Sequence, residues 1–412
     1  MRTQLTSATK APRRVAVTAL AAALLAGTAT PGSAIADSGV TVPTAAARQD
    51  RPELQKAMQA FVDAGFTGVQ LRVNDRRGEW VAGTGVRELG AAAKPPTNGR
   101  FWTGSVVKTF SATLVLQLVA EGRIGLDDPV AGYLPEFGLD RRITVRMLLQ
   151  HTSGLFNYTG EYYDDGRFVP GIPAAGDAWL NNRFHSYRPE ELVRLALSKP
   201  ARFEPGTDQN YSNTNYTLVL LLIEKVTGRS YDEQLQRRIL GPLGMSATRT
   251  AGNRTQLPGP HAHAYYSYQG TTVDISRQNL SLLVGAGDLI STTQDLTTFF
   301  SALNGGRLLP AELLAEMREP YGKLGYGLGV FAQDLGPNCG TVYQHNGSPP
   351  HGYGALMYSS PDGKTTLTGS VTWVDSATRG PVKDFQKLLD GLVEEVFCGT
   401  PAGSANETKP LR

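Results

Sequence analysis

The chain has 412 residues, 19% of them Asp, Glu, Lys or Arg, and a formal net charge of +3. That length buries at least one large core. A weak, scattered positive balance excludes a protein that works on nucleic acid or on a membrane surface through a strong field.

Residues 1–36 read as an export signal. Lys10, Arg13 and Arg14 form its positive end, Val15 to Ala26 its apolar stretch, and Ala34-Ile35-Ala36 the small residues before the cut. The apolar stretch is too short for a membrane span, and no later one reaches that length. The Arg13-Arg14 pair permits the twin-arginine route, but its flanks match that route poorly. A secreted protein without a membrane span is expected, with residues 37–51 as a linker.

Pro52 to Val62 is an amphipathic helix, with Leu54, Met58, Phe61 and Val62 on one side. Gly68 to Asn74 and Glu79 to Val86 alternate as strands about the turn Asp75–Gly78. A Pro- and Gly-rich loop then delivers Phe101-Trp102-Thr103-Gly104-Ser105-Val106-Val107-Lys108. From Val106 the apolar residues recur at helical spacing through Phe110, Leu114, Val115, Leu118 and Val119. Ser105 and Lys108 are three apart and share one helical face. A serine hydroxyl is a weak nucleophile until a neighbour takes its proton. A lysine can do that only if burial or other cations lower its pKa, and Val106, Val107 and Phe110 suit burial. The helix start adds free N–H groups where an oxyanion could form. Alone, the spacing is a weak signal that occurs by chance, and it fits a helix start with a solvated lysine better than a catalytic pair.

Helices dominate next. Thr144 opens one through Leu149, and Pro189–Ser198, Thr214–Thr227 and Tyr231–Leu240 follow. Gly160 to Asn182 reads as a long surface loop of the kind that forms lids or binding walls. From His261 the pattern turns to strands. Tyr326–Ala332, Gly340–Gln344 and the hairpin Tyr353–Ser359 with Thr365–Trp373 are predicted. Gly285-Ala286-Gly287-Asp288 precedes Ser291-Thr292-Thr293, which caps a helix over Gln294–Leu303. Pro381 to Phe397 is amphipathic, and residues 399–412 read as a disordered tail. The fold class is therefore α+β. Residues 52–104 and 261–398 build one antiparallel sheet flanked by the terminal helices, with a mainly helical domain, 105–260, inserted.

Cys339 and Cys398 most simply pair in an oxidising compartment, tying the C-terminal helix to an earlier loop. Two buried free thiols are the alternative. His261 and His263 have no carboxylate or cysteine beside them in the sequence, and no H-E-x-x-H occurs, so neither metal nor other cofactor is expected.

Two more clusters carry chemistry. In Tyr211-Ser212-Asn213 a phenol and an amide two apart can point the same way. The phenol can carry a proton and the amide can orient a lysine or a substrate amide, although both types are common in ordinary turns. In His345-Asn346-Gly347-Ser348 the glycine lets the backbone approach a ligand, and the histidine fits a structural role as well as a catalytic one.

Ser105-x-x-Lys108, Tyr211-Ser212-Asn213 and His345-Asn346-Gly347, in this order, resemble the three motifs of serine β-lactamases and penicillin-binding peptidases. The variant with Tyr-Ser-Asn and His-Asn-Gly resembles the branch of class C β-lactamases, related esterases and secreted D-alanyl-D-alanine carboxypeptidases, the last most of all. The resemblance covers nearly the whole mature chain. It implies that Ser105 is acylated, that Lys108 and Tyr211 share the proton work, and that Asn213 orients Lys108 and the substrate amide. His345 would stand in for the usual lysine and support Tyr211. The N–H groups of Ser105 and Ser348 would form the oxyanion hole beside Gly347 and Asn346. It also matches the cysteine pair to a bridged pair. The implied partners are a peptidoglycan stem peptide or another small acyl donor, with β-lactams as acylating inhibitors, and the chain is expected to be a monomer. Asn346 stands where threonine is usual, and Ser348 where the carboxypeptidases have threonine. Phe331 stands where they carry an arginine for the substrate's terminal carboxylate, and an aromatic ring cannot replace that charge. His351 and Arg379 are candidates to compensate. The expected activity is that of a D-Ala-D-Ala carboxypeptidase. An esterase, a D-amino-acid amidase, a β-lactamase and a non-catalytic penicillin-binding module are the alternatives.

Overall fold

The computed structural model describes residues 50–163, 167–376 and 382–399. The export signal, most of the linker, Arg379 and the tail from residue 400 lie outside them. Arg51, read as the linker's last residue, is buried and paired with Glu53 and Asp75.

Six antiparallel strands form the main sheet, in the spatial order Phe331–Asp334, Thr341–Gln344, Tyr353–Ser359, Thr366–Thr372, Gly68–Asp75 and Gly78–Gly85. The N-terminal hairpin joins the C-terminal one through pairs such as Gly68 with Thr372 and Leu71 with Gly369. The two central C-terminal strands are buried along their whole length, which requires cover on both faces. On one face lie the helices Pro52–Asp63 and Val382–Phe397. Leu54, Met58, Phe61, Leu389, Leu392 and Val393 meet the strands there in one cluster, each burial contributing about 1.5–3 kcal/mol. The helix Thr293–Asn304 covers the other face, capped by Thr292, whose Oγ1 accepts from the Asp295 N–H.

The helix Val107–Ala120 lies deeper still. A single 3-10 turn, Gly104–Val106, leads into it. Every side chain from Val107 to Leu116 is buried, so this helix is apolar nearly all round, as befits a central one. Phe110 stacks on Phe299 with ring centroids 3.6 Å apart. The helix Asn213–Thr227 packs beside it, with residues 214–223 all buried. A second small sheet, Phe101–Trp102 with Leu289–Ser291 and Arg249–Thr250, fixes the entry to the serine turn.

Two expected elements differ. The strand read at Tyr326–Ala332 runs instead over Phe331–Asp334. Residues 326–330 are held as a loop by Gly327 N–H to Val330 O, by Leu328 N–H to Met317 O and by the Thr109 hydroxyl to Gly329 O. The stretch 160–182 is not structureless. It holds the short hairpin Glu161–Tyr162 with Phe168–Val169, and a helix, Gly176–Asn182. Trp179 anchors that helix edge-on to His351, ring centroids 4.4 Å apart. Cys339 and Cys398 form a disulfide, joining the turn after Asp334 to the end of the last helix. Among the described residues no helix is long and apolar enough to cross a membrane, and no cluster of three or more metal-ligating side chains occurs.

Candidate active site

Ser105 sits in the 3-10 turn because Gly104 adopts a left-handed φ of +53°. A Cβ there would lie 2.5 Å from the Ser348 nitrogen, so the glycine lets the serine turn and the His345–Ser348 segment touch. Gly347 answers from the other side. A Cβ on it would fall 2.1 Å from Thr103 O and 2.6 Å from Ser105 N. The two closest backbones therefore meet where the Ser105 and Ser348 amides lie, and the first turn of a helix leaves such N–H groups without intrahelical acceptors.

One helical turn on, Lys108 is fully buried. Its Nζ lies 3.0 Å from Ser105 Oγ, 2.9 Å from Asn213 Oδ1 and 2.6 Å from the Ala286 carbonyl. Burial holds this amine well below the ordinary lysine range, against the opposing charge of Asp288. A neutral amine has two hydrogens and one lone pair. Asn213 Oδ1 and Ala286 O can only accept, so they take the hydrogens and leave the lone pair facing the Ser105 hydroxyl.

Tyr211 completes the set. Its phenol lines the same cleft as Ser105, and burial raises its pKa against the opposing influence of Ser105, so it stays protonated. The Lys108 Nζ lies 4.8 Å from the centre of its ring. Asn213 starts its helix with N–H donated to Asn157 Oδ1, and its Nδ2 reaches Thr159 Oγ1. Hydroxyl, amine, phenol and amide thus come together from two helices and a turn.

His345 departs from expectation. Its Nδ1–H donates to Asn346 O at 2.7 Å, so its Nε2 accepts from the Tyr326 hydroxyl at 3.0 Å. Its partner is Tyr326 rather than Tyr211. Burial, with Lys108 nearby, pushes its pKa down to about 3. It is a neutral ring and cannot supply the positive charge of the lysine it replaces. Asn346 also departs. Its Nδ2 donates to the Tyr358 hydroxyl at 2.7 Å, and Tyr358 packs in the cluster beneath the terminal helices. The amide nitrogen braces the strand pair, although the residue still lines the cleft.

A cleft of about 450 Å³ opens beside Ser105, Tyr211 and Gly347. Phe331, Phe66, Trp373 and Phe385 are among its walls, and no Lys or Arg is among its described lining residues. Phe331 packs against Tyr326 and His345, ring centroids 4.5 and 5.4 Å away. His351, a candidate replacement cation, is committed elsewhere: Nδ1 to Asp375 and Nε2 to the Ala174 carbonyl, both at 2.7 Å.

Three groups at the site escaped the sequence reading. His151 is fully buried with a left-handed φ of 65°. Its Nδ1 accepts from Ser212 N–H and from Asn215 Nδ2, and its ring lies 4.2 Å from that of Tyr211. Burial, then the nearby Lys108, holds it well below the usual histidine range, so it is neutral. The others are the Ala286 carbonyl and Asp288, within a Gly-rich turn that reads as punctuation. His263 meets Asp274 at 2.7 Å and Glu88 at 3.4 Å, carboxylates remote in sequence.

Comparison with known proteins agrees with this geometry. The β-lactamase family model matches residues 54–391. A D-stereospecific amidohydrolase from Streptomyces sp. is 37% identical, with a TM-score of 0.73, over 86% of this chain and 100% of that one. The D-amino acid amidase from Ochrobactrum anthropi SV3, complexed with D-phenylalanine, is 25% identical at a TM-score of 0.68, over 83% of this chain and 98% of that one. The putative penicillin-binding protein PbpX of Bacillus subtilis (strain 168) is 28% identical over 318 residues, 76% of this chain and 72% of that protein. Its fold, the three motifs in contact and a match over most of its length place the chain in the β-lactamase family, a serine hydrolase fold shared with penicillin-binding proteins and D-amino acid amidases.

Proposed function

We propose that this protein hydrolyses D-aminoacyl amides, peptides or esters through an acyl-enzyme on Ser105, with no requirement for a free carboxylate on the leaving group. The observation that carries the reading is the cleft wall. Phe331 stands where the resembling carboxypeptidases carry an arginine, other aromatic rings join it on the wall, and the described lining residues include no Lys or Arg. The preference for D-substrates is supported by the two amidohydrolase structures it resembles.

In this mechanism Ser105 Oγ attacks the carbonyl carbon as its proton passes to the Lys108 lone pair. Positioned general bases of this kind contribute about 10²–10⁴ in rate. The carbonyl oxygen becomes an oxyanion between the Ser105 and Ser348 amides, each such donor worth about 10²–10³. The C–N bond then breaks, and the leaving nitrogen takes its proton from the Tyr211 phenol, which the Lys108 ammonium replenishes. Water attacks the ester by the reverse relay, restoring Ser105. Asn213 holds the amine by its Oδ1 throughout. Penicillin, whose strained amide presents the same carbonyl, acylates Ser105.

The D-Ala-D-Ala carboxypeptidase reading is favoured by the penicillin-binding relative and opposed by the lack of a Lys or Arg among the described lining residues. We also propose that the protein acts outside the cytoplasm, since its Cys339–Cys398 bond is of the kind that persists in an oxidising compartment. The test is hydrolysis of D- and L-enantiomers of phenylalanine amide and leucine p-nitroanilide, with mass spectrometry of Ser105. The reading expects turnover of the D-forms and an acyl adduct on Ser105, both lost in Ser105→Ala. Equal rates on the two enantiomers, or turnover surviving in that variant, would overturn it.

A further inference from the structure

The serine, lysine, tyrosine and asparagine account for the proton path, but they leave a buried carboxyl beside it unused. Asp288 is 2% exposed and closes the turn 285–288, two residues past the Ala286 carbonyl that meets Lys108. Its Oδ1 accepts the Gly285 N–H at 3.0 Å, three residues back, and its carbonyl accepts from Ala251 N–H at 2.7 Å. Leu283 O takes the Ala286 and Gly287 N–H groups. The Gly287 N–H bond fixes the Ala286–Gly287 peptide inside the turn that Asp288 Oδ1 closes at Gly285, and the Ala286 carbonyl of that peptide makes the shortest of the three contacts to Lys108 Nζ, 2.6 Å.

That carbonyl matters because it is one of only two acceptors that take the amine's hydrogens. If it turns away, the lone pair is no longer aimed at Ser105 Oγ. The carboxyl also acts at a distance. Its charge favours the ammonium form of Lys108, opposing burial. Burial itself pushes Asp288 up to about 7, with Asp232 adding to the rise and the Gly285 N–H and Lys108 opposing it. The groups that face it are Lys108 from the serine helix, Tyr231 and Asp232 from the helix Tyr231–Leu235, and Tyr158 from the segment before the short hairpin. Of these, Lys108 is the one cation, so the carboxyl's charge is felt chiefly at the catalytic amine.

We infer that Asp288 is a positioning residue for the proton transfer: its carboxyl braces the turn that aims Lys108 at Ser105, and its charge acts on the amine across the protein interior. The inference rests on the acyl-enzyme reading for its consequence in rate, but not for its effect on the amine. It separates two roles that two substitutions can divide. Asp288→Asn keeps an oxygen for the Gly285 N–H and removes the charge. Asp288→Ala removes both.

The experiment follows Lys108 directly, by titrating 13Cε-lysine-labelled protein in the NMR spectrometer, with Lys108→Arg assigning the signal. In parallel, kcat/KM on D-leucine p-nitroanilide is measured against pH. In Asp288→Asn the Lys108 signal titrates at lower pH than in the wild type, and the acidic limb of kcat/KM moves the same way. At its optimum the asparagine variant keeps more activity than the alanine variant. In Asp288→Ala kcat/KM falls by roughly 10²-fold at every pH with KM little changed, as expected when a reacting group is misplaced by about 1 Å. A Lys108 titration identical in Asp288→Asn and wild type would overturn the inference, as would an Asp288→Ala enzyme as active as Asp288→Asn. Should the alanine variant not fold, the asparagine titration still decides. A shifted titration in a protein that hydrolyses no D-aminoacyl probe would sustain Asp288's role and sink the substrate reading instead.

Discussion

The two walls of the catalytic cleft are built on opposite principles. On the helical wall, Lys108, Asn213 and the Ala286 carbonyl are locked by short hydrogen bonds in a buried setting, with neutral His151 behind Tyr211. On the strand wall, Gly347 and Ser348 offer backbone, while Phe331 and Trp373 offer rings. His345 there is neutral, held by Tyr326 and its neighbour's carbonyl. The helical wall can move a proton and the strand wall can hold an acyl group. Among the described residues, neither presents a Lys or Arg to the leaving group. On the proposed mechanism the proton transfer and the substrate choice are thus carried by different elements, and each can be altered separately.

The largest expected effect comes from the helical wall. Ser105→Ala should lower kcat by roughly 10⁴–10⁶-fold and abolish covalent labelling by penicillin, with the circular dichroism spectrum unchanged. Retained labelling would mean another nucleophile.

Next is Lys108→Met, with an expected loss of about 10²–10⁴-fold in kcat/KM. In the wild type, activity should rise with pH as Lys108 loses its proton. Because burial depresses that pKa, the rise should be complete well below the ordinary lysine range, leaving the enzyme fully active near neutral pH. The same shift bears on stability. Between the depressed pKa and the ordinary lysine value the folded chain binds fewer protons than the unfolded one, so the lysine's contribution becomes more favourable as pH rises through that window. Urea denaturation of wild type and Lys108→Met at several pH values should show the difference moving in that sense. A pH-independent difference would mean Lys108 is charged in the folded protein.

The strand wall predicts a smaller change. Phe331→Arg restores a cation to the cleft, and should raise kcat/KM on peptides with a free terminal carboxylate by about tenfold relative to their amides, the size of one charged hydrogen bond. An unchanged ratio would place the leaving group elsewhere.

The smallest effect on catalysis belongs to Cys339 and Cys398, neither of which lines the cleft. The bond closes a separation of 59 residues, worth about 4 kcal/mol of stability in the chain-entropy model. The double Cys→Ser variant should lose about 2–4 kcal/mol in urea denaturation and keep its kcat/KM. A large loss of activity would tie the last helix to the site.

How much was legible in the sequence differs between the walls in the same way. Ser105 and Lys108 lie one helical turn apart, and local periodicity reveals such a pair. Tyr211 and Asn213 flank a helix start and form a motif of their own. The antiparallel sheet from both chain ends also follows from alternation in its strands. What escaped depends on contacts between distant segments. His345 looked like a replacement for a lysine, but its partner Tyr326 lies in a loop that reads as a strand, and burial keeps the ring neutral. Asn346 sits inside a motif, yet its side chain answers to Tyr358 on the next strand. His151 follows an apolar helix with nothing to mark its left-handed backbone, and Asp288 closes a turn whose glycines look like simple punctuation. A tertiary partner, absent from any local pattern, decides the role of each.

The central claim is that proton transfer at Ser105 is intact while the cleft makes no charged contact with the leaving group. It is tested most directly by measuring kcat/KM on one D-aminoacyl peptide with its terminal carboxylate free and then amidated. A ratio near one, or favouring the amide, is predicted. A tenfold or greater preference for the free carboxylate would contradict the claim and reveal a cation on the strand wall.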